Sequence, residues 1–330
     1  MCPGGGGAIL LLEPAGGILV KPRRGLTGAV AAVLPAVMSI AFLARPADAA
    51  AGQAAASSPV CRSSSHGALA ARLTRDIAAA RRGRLSTVAV EVDDPGIGLV
   101  CQLESSRHFD SASVVKVTIL GALLRKAQDQ HRNLTRTERA LAWVMITRSD
   151  NDAASQLWAE VGYRYLQHFL NLAGMTHTVL GPDGFWGLTQ ITASDETLLL
   201  RLLLAANPVL DTSARDYALS LMAHVIPGQR WGVPAGAPTS LTAHVKNGWL
   251  PLATHGWRIH SIGCFTGYGG GYSIVVLTQD NPTMAYGIAT IEAIAEVINR
   301  DLNPRAASRV PLSGPSPSWG SPDESIPAQT

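Results

Sequence analysis

Charge is scarce in this chain: Asp, Glu, Lys and Arg make up 15% of its 330 residues, and the formal net charge is +3. Arginines are scattered and no segment interleaves basic with aromatic residues, which excludes a nucleic-acid surface. Hydrophobic residues reach 47%, too many for a disordered chain and enough for one large core or two modest ones. Four cysteines are present, and none of their spacings is that of a zinc site. No internal repeat occurs. The Gly267–Gly271 run lies between two predicted strands and precedes no helix, so it reads as a hairpin turn and not as a phosphate cradle.

The ends differ from the middle. Lys21-Pro22-Arg23-Arg24 precedes an apolar run from Leu26 to Ala44, and Ala47-Asp48-Ala49 follows it, the three parts of a secretory signal. The run is near the length of a membrane span, so an uncleaved anchor is the alternative; Pro35 and the small-residue triplet favour removal. Arg23-Arg24 is a weak twin-arginine match, and the Gly-rich start suggests that translation begins nearer Val20. Residues 1–60 are thus expected to be leader and linker, with the chain secreted and touching a membrane only through this segment. Export permits a disulfide, expected between Cys61 and Cys101, with Cys264 a small buried strand residue. Residues 304–330, rich in Pro and Ser and without apolar periodicity, are expected to be a disordered tail after a folded domain at 61–303.

Apolar periodicity predicts a helix over Leu69–Arg82, then strands Thr87–Val92 and Gly98–Leu103 joined across Asp94-Pro95-Gly96. Helical spacing continues over Ser113–Gln130, Thr135–Ile146, Ala153–Val161, Tyr163–Ala173, Ser194–Ala206 and Ser213–His224. Strand-like runs at Thr242–Lys246, Trp257–Phe265 and Tyr272–Thr278 precede a last helix, Met284–Leu302. The predicted class is α/β in the α+β sense: an antiparallel five-stranded sheet flanked by the terminal helices, plus an all-helical lobe, with a cleft between.

Within that layout stand Ser113-Val114-Val115-Lys116, Ser149-Asp150-Asn151 and Lys246-Asn247-Gly248-Trp249. Serine and lysine three apart on a helix share a face. A lysine desolvated near other cations can lose its proton, and so accept one from the serine. The ordered set Ser-x-x-Lys, Ser-Asp-Asn, Lys-x-Gly is specific. On these motifs the sequence resembles the class A β-lactamases and penicillin-binding proteins from about Leu69 to Leu302. The resemblance implies Ser113 as nucleophile, Lys116 as its proton acceptor, Ser149 as proton relay to the leaving group and Lys246 as the source of positive potential. It further implies that the N–H groups of Ser113 and Trp249 form an oxyanion hole beside Gly248, and that Asn151 holds the substrate amide. Asp150 is read as bracing its own loop. Asn247 replaces the family's hydroxyl and would tune substrate preference at the strand edge; Arg258 would bind a substrate carboxylate or, alternatively, be a surface arginine. His260 and His244 are read as packing residues.

The departures narrow the expectation. The Glu-x-x-Leu-Asn loop of class A enzymes is absent; the segment Leu180–Thr192 carries a single carboxylate, Asp183, between proline and glycine as in a turn. Asp195 and Glu196 are read as first-turn carboxylates after a Ser194 cap. Ser113 and Ser149 are 36 positions apart, fewer than in the family, which implies a more open site. The resemblance therefore implies an exported serine acyl-hydrolase, a monomer without metal or organic cofactor, cleaving an amide or ester through an acyl-Ser113 intermediate. Substrates would be a small amide or ester, a β-lactam or a peptidoglycan-derived peptide. The alternatives are a true β-lactamase, a D,D-peptidase-like enzyme, or a catalytically silent binding module.

Overall fold

A computed structural model describes residues 57–267 and 271–313. The expected leader, the Cys2 region, the tip of the Gly267–Gly271 turn and residues 314–330 lie outside the described residues. Eight strands and eight α-helices are described: β1 Val60–Ser63, α1 Gly67–Arg81, β2 Thr87–Asp94, β3 Leu99–Leu103, β4 Phe109–Asp110, α2 Val115–Asp129, α3 Arg136–Thr147, α4 Asn151–Val161, α5 Tyr163–Ala173, β5 Gln190–Ile191, α6 Ala193–Leu204, α7 Thr212–Ala223, β6 Thr242–Pro251, β7 Trp257–Thr266, β8 Tyr272–Asn281 and α8 Met284–Leu302. Among the described residues, no helix is long and apolar enough to cross a membrane.

The sheet has six strands in the order β1-β3-β2-β8-β7-β6, every pair antiparallel, with β4 and β5 forming a separate two-residue ladder. Five strands match the expectation; the sixth, β1, is too short for a period-two signal to register. It is tied to its neighbour by the Cys61–Cys101 disulfide, between residues directly opposite in the ladder. Helices α1 and α8 pack against each other beside the sheet, while α6 packs on β2 and β8.

The helical lobe is organised around α2. Its buried residues run almost continuously from Val115 to Leu124 and include Lys116. A helix apolar all round belongs in the centre of a lobe. Gly121 allows the close approach of α5: a Cβ there would stand 2.5 Å from the Phe169 ring. Helix α3 is closed by a reciprocal capping box between Thr135 and Glu138, whose carboxylate also takes two bonds from Arg132 and is thereby held down to about 2.

Three boundary expectations change. Strand β6 runs on to Pro251, so Lys246–Trp249 lies within the strand and not at its end. Helix α6 is capped by Thr192, whose hydroxyl accepts from Asp195 N; Ser194 sits inside the helix and donates to Glu91. The chain also stays ordered beyond 303: Gly236 N bonds Val310 O, Val310 N bonds Ala237 O, and Ser313 N reaches Glu292. Backbone pairing orders this stretch, and side-chain periodicity carries no trace of it.

Asp195 is a first-turn carboxylate as expected, accepting from His177 N and Thr178 Oγ1. Glu196 shares that first turn, as expected, but faces the core. It is fully buried, both carboxyl oxygens lack a partner among the described residues, and burial, reinforced by Asp195, pushes its carboxyl well above the ordinary 4.5. The folded state therefore keeps a proton that the unfolded chain releases above pH 4.5, so this group's contribution to stability falls as pH rises. Glu196→Gln should flatten that slope, its stability relative to wild type increasing from pH 5 to pH 8 in urea unfolding. Replacing both Cys61 and Cys101 by Ser should lower stability by about 3–4 kcal/mol at neutral pH, the chain-entropy value for a loop of this length.

Candidate active site

Ser113 lies in a 3-10 turn, Ala112–Val114, that runs directly into α2. Ala112 has φ of 46°, a left-handed conformation that L-residues with a side chain adopt at a cost. The turn is held from several sides by the residues just before it. Asp110 Oδ2 accepts from Arg258 Nε at 2.9 Å, its carbonyl accepts from His260 Nε2 at 2.8 Å, and its Oδ1 takes the Gln190 amide at 2.5 Å. Ser111 N donates to Thr189 O at 2.8 Å. Strand β7 and the 186–190 segment thus clamp the Ser113 turn between them.

Lys116, one turn into α2, has no solvent exposure. Its Nζ donates to Ser113 Oγ at 2.9 Å, Ser149 O at 2.7 Å, Ser149 Oγ at 3.3 Å and Asn151 Oδ1 at 2.6 Å. Ser149 sits at the α3–α4 junction with φ of 59°, a second strained residue beside the same lysine. Asp150 caps α4 by accepting from Ala153 N, the bracing role expected of it.

Lys246 reaches the same hydroxyl from the sheet, donating to Ser149 Oγ at 2.9 Å and to its neighbour Asn247 O at 2.7 Å. Burial, and then the nearby Lys116, push its ammonium well below the ordinary lysine value. Gly248 brings β6 against the Ser113 turn; a Cβ there would lie 3.0 Å from Ser113 N and 3.0 Å from Ser111 O. A side chain there would push the strand or the turn back by a few tenths of an ångström.

Ser113, Lys116, Ser149, Asn151, Lys246 and Gly248 therefore meet at one place. Trp249 follows on the strand, half-buried, its ring 6.2 Å from that of Trp231. Two expected substrate contacts are otherwise engaged. Asn247 projects to the opposite face of β6, 1% exposed, its amide donating to Gln229 O and Trp231 O; alternation along a strand separates it from Lys246. Arg258 is 2% exposed and bound to Asp110, so it braces the Ser113 turn from inside the protein. His260 shares its face, packs edge-on against Phe109, and is held neutral by burial, its value down to about 4. His244 is fixed by Leu219 O and Thr266 Oγ1.

Asp110 and Trp186 were not singled out by sequence reasoning. Trp186 is 1% exposed and its ring centroid lies 4.7 Å from Lys116 Nζ. Asp183, in the same segment, is exposed in a turn at φ of 51°. A usable signal for the site existed in lysine scarcity: the chain has four lysines, at 21, 116, 126 and 246, and two of them stand here.

A serine–lysine cluster between a helical lobe and an antiparallel sheet defines a β-lactamase-like protein. A family model described as the Beta-lactamase enzyme family matches residues 131–302, more than half of the chain, and the chain belongs to that family. The matched segment contains Ser149, Asn151 and Lys246 but begins after Ser113 and Lys116. Among solved structures, the chain is similar to a class A β-lactamase from Bacteroides cellulosilyticus DSM 14838, with TM-score 0.62 and 18% identity over 71% of this chain and 98% of the other. It is also similar to PBP-A, with TM-score 0.61 and 17% identity over 71% and 96%. At such identities these likenesses concern the fold. A curated relative, "Putative lipoprotein LppW" of Mycobacterium tuberculosis, is 26% identical over 185 residues, 54% of this chain. The chain spans 59% of the length of the curated relatives it matches.

The depressed Lys246 ammonium has a consequence for stability. Between its folded value and the ordinary 10.5, the unfolded chain holds a proton that the folded state has released, so stability rises with pH across that window. Lys246→Met should therefore gain relative to wild type as pH is lowered from 10 to 7, read from urea unfolding at each pH.

Proposed function

We propose that this chain is an exported serine acyl-hydrolase that opens an amide or ester through an acyl-Ser113 intermediate. The observation that carries the reading is Lys116 Nζ at 2.9 Å from Ser113 Oγ inside a water-poor cluster. With one proton released, Lys116 takes the Ser113 proton as Oγ adds to the substrate carbonyl carbon. The oxyanion faces the N–H groups of Ser113 and Trp249, each such donor contributing about 3 kcal/mol. Ser149 Oγ accepts from both lysines, which uses its two lone pairs and leaves its O–H to donate to the leaving group. Lys246 helps to return the proton that Ser149 gives up. Water then adds to the ester carbon, the carbon–Oγ bond breaks, and Ser113 recovers its proton.

The substrate class is a small amide or ester, a β-lactam, or a peptidoglycan-derived peptide. Because Asn247 and Arg258 are bound inside the protein, recognition does not rest on those two side chains. Asp183 is the only carboxylate in the 180–192 segment and lies exposed in its turn, so hydrolysis of the acyl-enzyme is slow and efficient β-lactam turnover is not expected.

Intact-mass analysis with benzylpenicillin tests the reading. A one-to-one adduct should form on wild type and persist, be absent in Ser113→Ala, and form about 10²–10⁴-fold more slowly in Lys116→Met. Ligand binding without any adduct would favour the silent module instead, and rapid decay to free enzyme would favour a true β-lactamase.

A further inference from the structure

Helices α3 and α7 meet along a seam that ends at the Ser149 loop. Ile226 N, just past α7, donates to Thr147 O at 2.9 Å, and Gln229 Nε2 donates to Arg148 O at 3.1 Å. Asn247 Nδ2 on β6 donates in turn to Gln229 O at 2.9 Å. The chain after α7 is thereby tied both to the residues just before Ser149 and to the strand that carries Lys246. The outer face of this seam brings aromatic and cationic side chains together.

Trp143 on α3 is 43% exposed, and its ring centroid lies 5.6 Å from that of His224, the first residue after α7. His224 is itself exposed, its Nδ1 set against Ser220 O. Tyr217, half-buried, stands two turns before His224 on α7, and Arg139 stands one turn before Trp143 on α3. The last two are close enough to feel each other: burial raises the Tyr217 phenol and the Arg139 charge opposes the rise. At the other end Arg148 is exposed, and Arg230, half-buried, donates to Ala223 O at 2.7 Å and to Ala243 O at 3.0 Å. Burial pushes the Arg230 guanidinium below its ordinary value, and no carboxylate offsets the shift. Among the described residues, none of these three arginines stands in an ion pair. Asp211 is used in capping α7, and Asp216 lies about 100° round that helix from Tyr217. A cavity of about 170 Å³ opens at the Arg139 end, lined by Tyr217 and Arg139 and by the buried Leu124 and Leu134.

Trp, Tyr and Arg are the side chains that dominate binding energy at protein interfaces, and arginines without carboxylates favour an anionic partner. From Arg139 to Arg148 the helix rises about 13 Å, a span that an extended peptide covers with about four residues. We propose that the α3–α7 seam is a docking surface for an acidic peptide segment. Its carboxylates would meet Arg139, Arg148 and Arg230, its chain would lie across Trp143 and His224, and one apolar side chain would enter the cavity beside Tyr217. Because the seam ends at the Ser149 loop, a peptide held there runs up to the serine–lysine cluster. The inference goes beyond acyl transfer at Ser113 and does not depend on it.

Fluorescence polarisation tests it on the folded chain carrying Ser113→Ala, which excludes turnover. The probes are a fluorescein-labelled peptide of about six residues built from Glu, Gly and Leu, and the same peptide with Gln for Glu. The Glu peptide should bind at least tenfold more tightly, and the gap should narrow as salt is raised. Trp143→Ala, and separately Arg139→Gln combined with Arg148→Gln, should each weaken it about tenfold. Tyr163→Ala, at an aromatic residue exposed on α5, should leave it unchanged. Thermal unfolding checks each fold, and if Trp143→Ala fails to fold, the arginine pair, both exposed, carries the comparison. Equal binding of the two peptides, no saturable binding of either, or unchanged affinity in the folded seam variants would overturn the proposal. Tighter binding of alginate, an anionic glycan, than of the Glu peptide would overturn the choice of a peptide.

Discussion

Two amino groups packed around one hydroxyl are the constraint on which this site depends. Lys116 and Lys246 come from a central helix and an edge strand, both without meaningful exposure, and both donate to Ser149 Oγ. Burial, and then the charge of Lys116, push the Lys246 ammonium well below its ordinary value. The fold thus lowers the proton affinity of an amine that would be a full cation on the surface. It also orients Ser149, since a hydroxyl with both lone pairs occupied has only its proton left to offer.

Holding that geometry requires the Ser113 turn to be rigid, and Asp110 is its anchor. A carboxylate two residues before the left-handed Ala112 receives Arg258 from β7 and Gln190 from β5, while its carbonyl receives His260. The arginine is almost completely buried, so the pair trades hydration for fixed placement; removing one partner would leave a stranded charge. Gly248 completes the fit by letting β6 lie against the same turn. What resembles a substrate-binding arginine in linear order is here part of the scaffold under the serine.

Much of the architecture was legible from periodicity. Helices α5 and α8 fall within a residue of their expected bounds, because long apolar stripes with clear Gly or Thr caps leave little latitude. The short strand β1 and the ordered course to Ser313 were not legible, since both are made by backbone pairing to distant segments. The burial of Glu196 was not legible for a similar reason: its place in the first turn of α6 is local, but which side of that turn faces the core is decided by β2 and β8.

The order Ser-x-x-Lys, Ser-Asp-Asn, Lys-x-Gly by itself named residues that converge, because one helical turn and one strand register suffice to aim them. Strand alternation could have warned that Asn247 turns away from Lys246. Only the tertiary structure decided that Arg258 belongs to Asp110 and that Trp186 packs against Lys116, for these contacts join residues 148 and 70 positions apart. Partners so distant in the chain are chosen by which surfaces pack in the lobe interface, and packing is a property of volume and burial that no local pattern encodes.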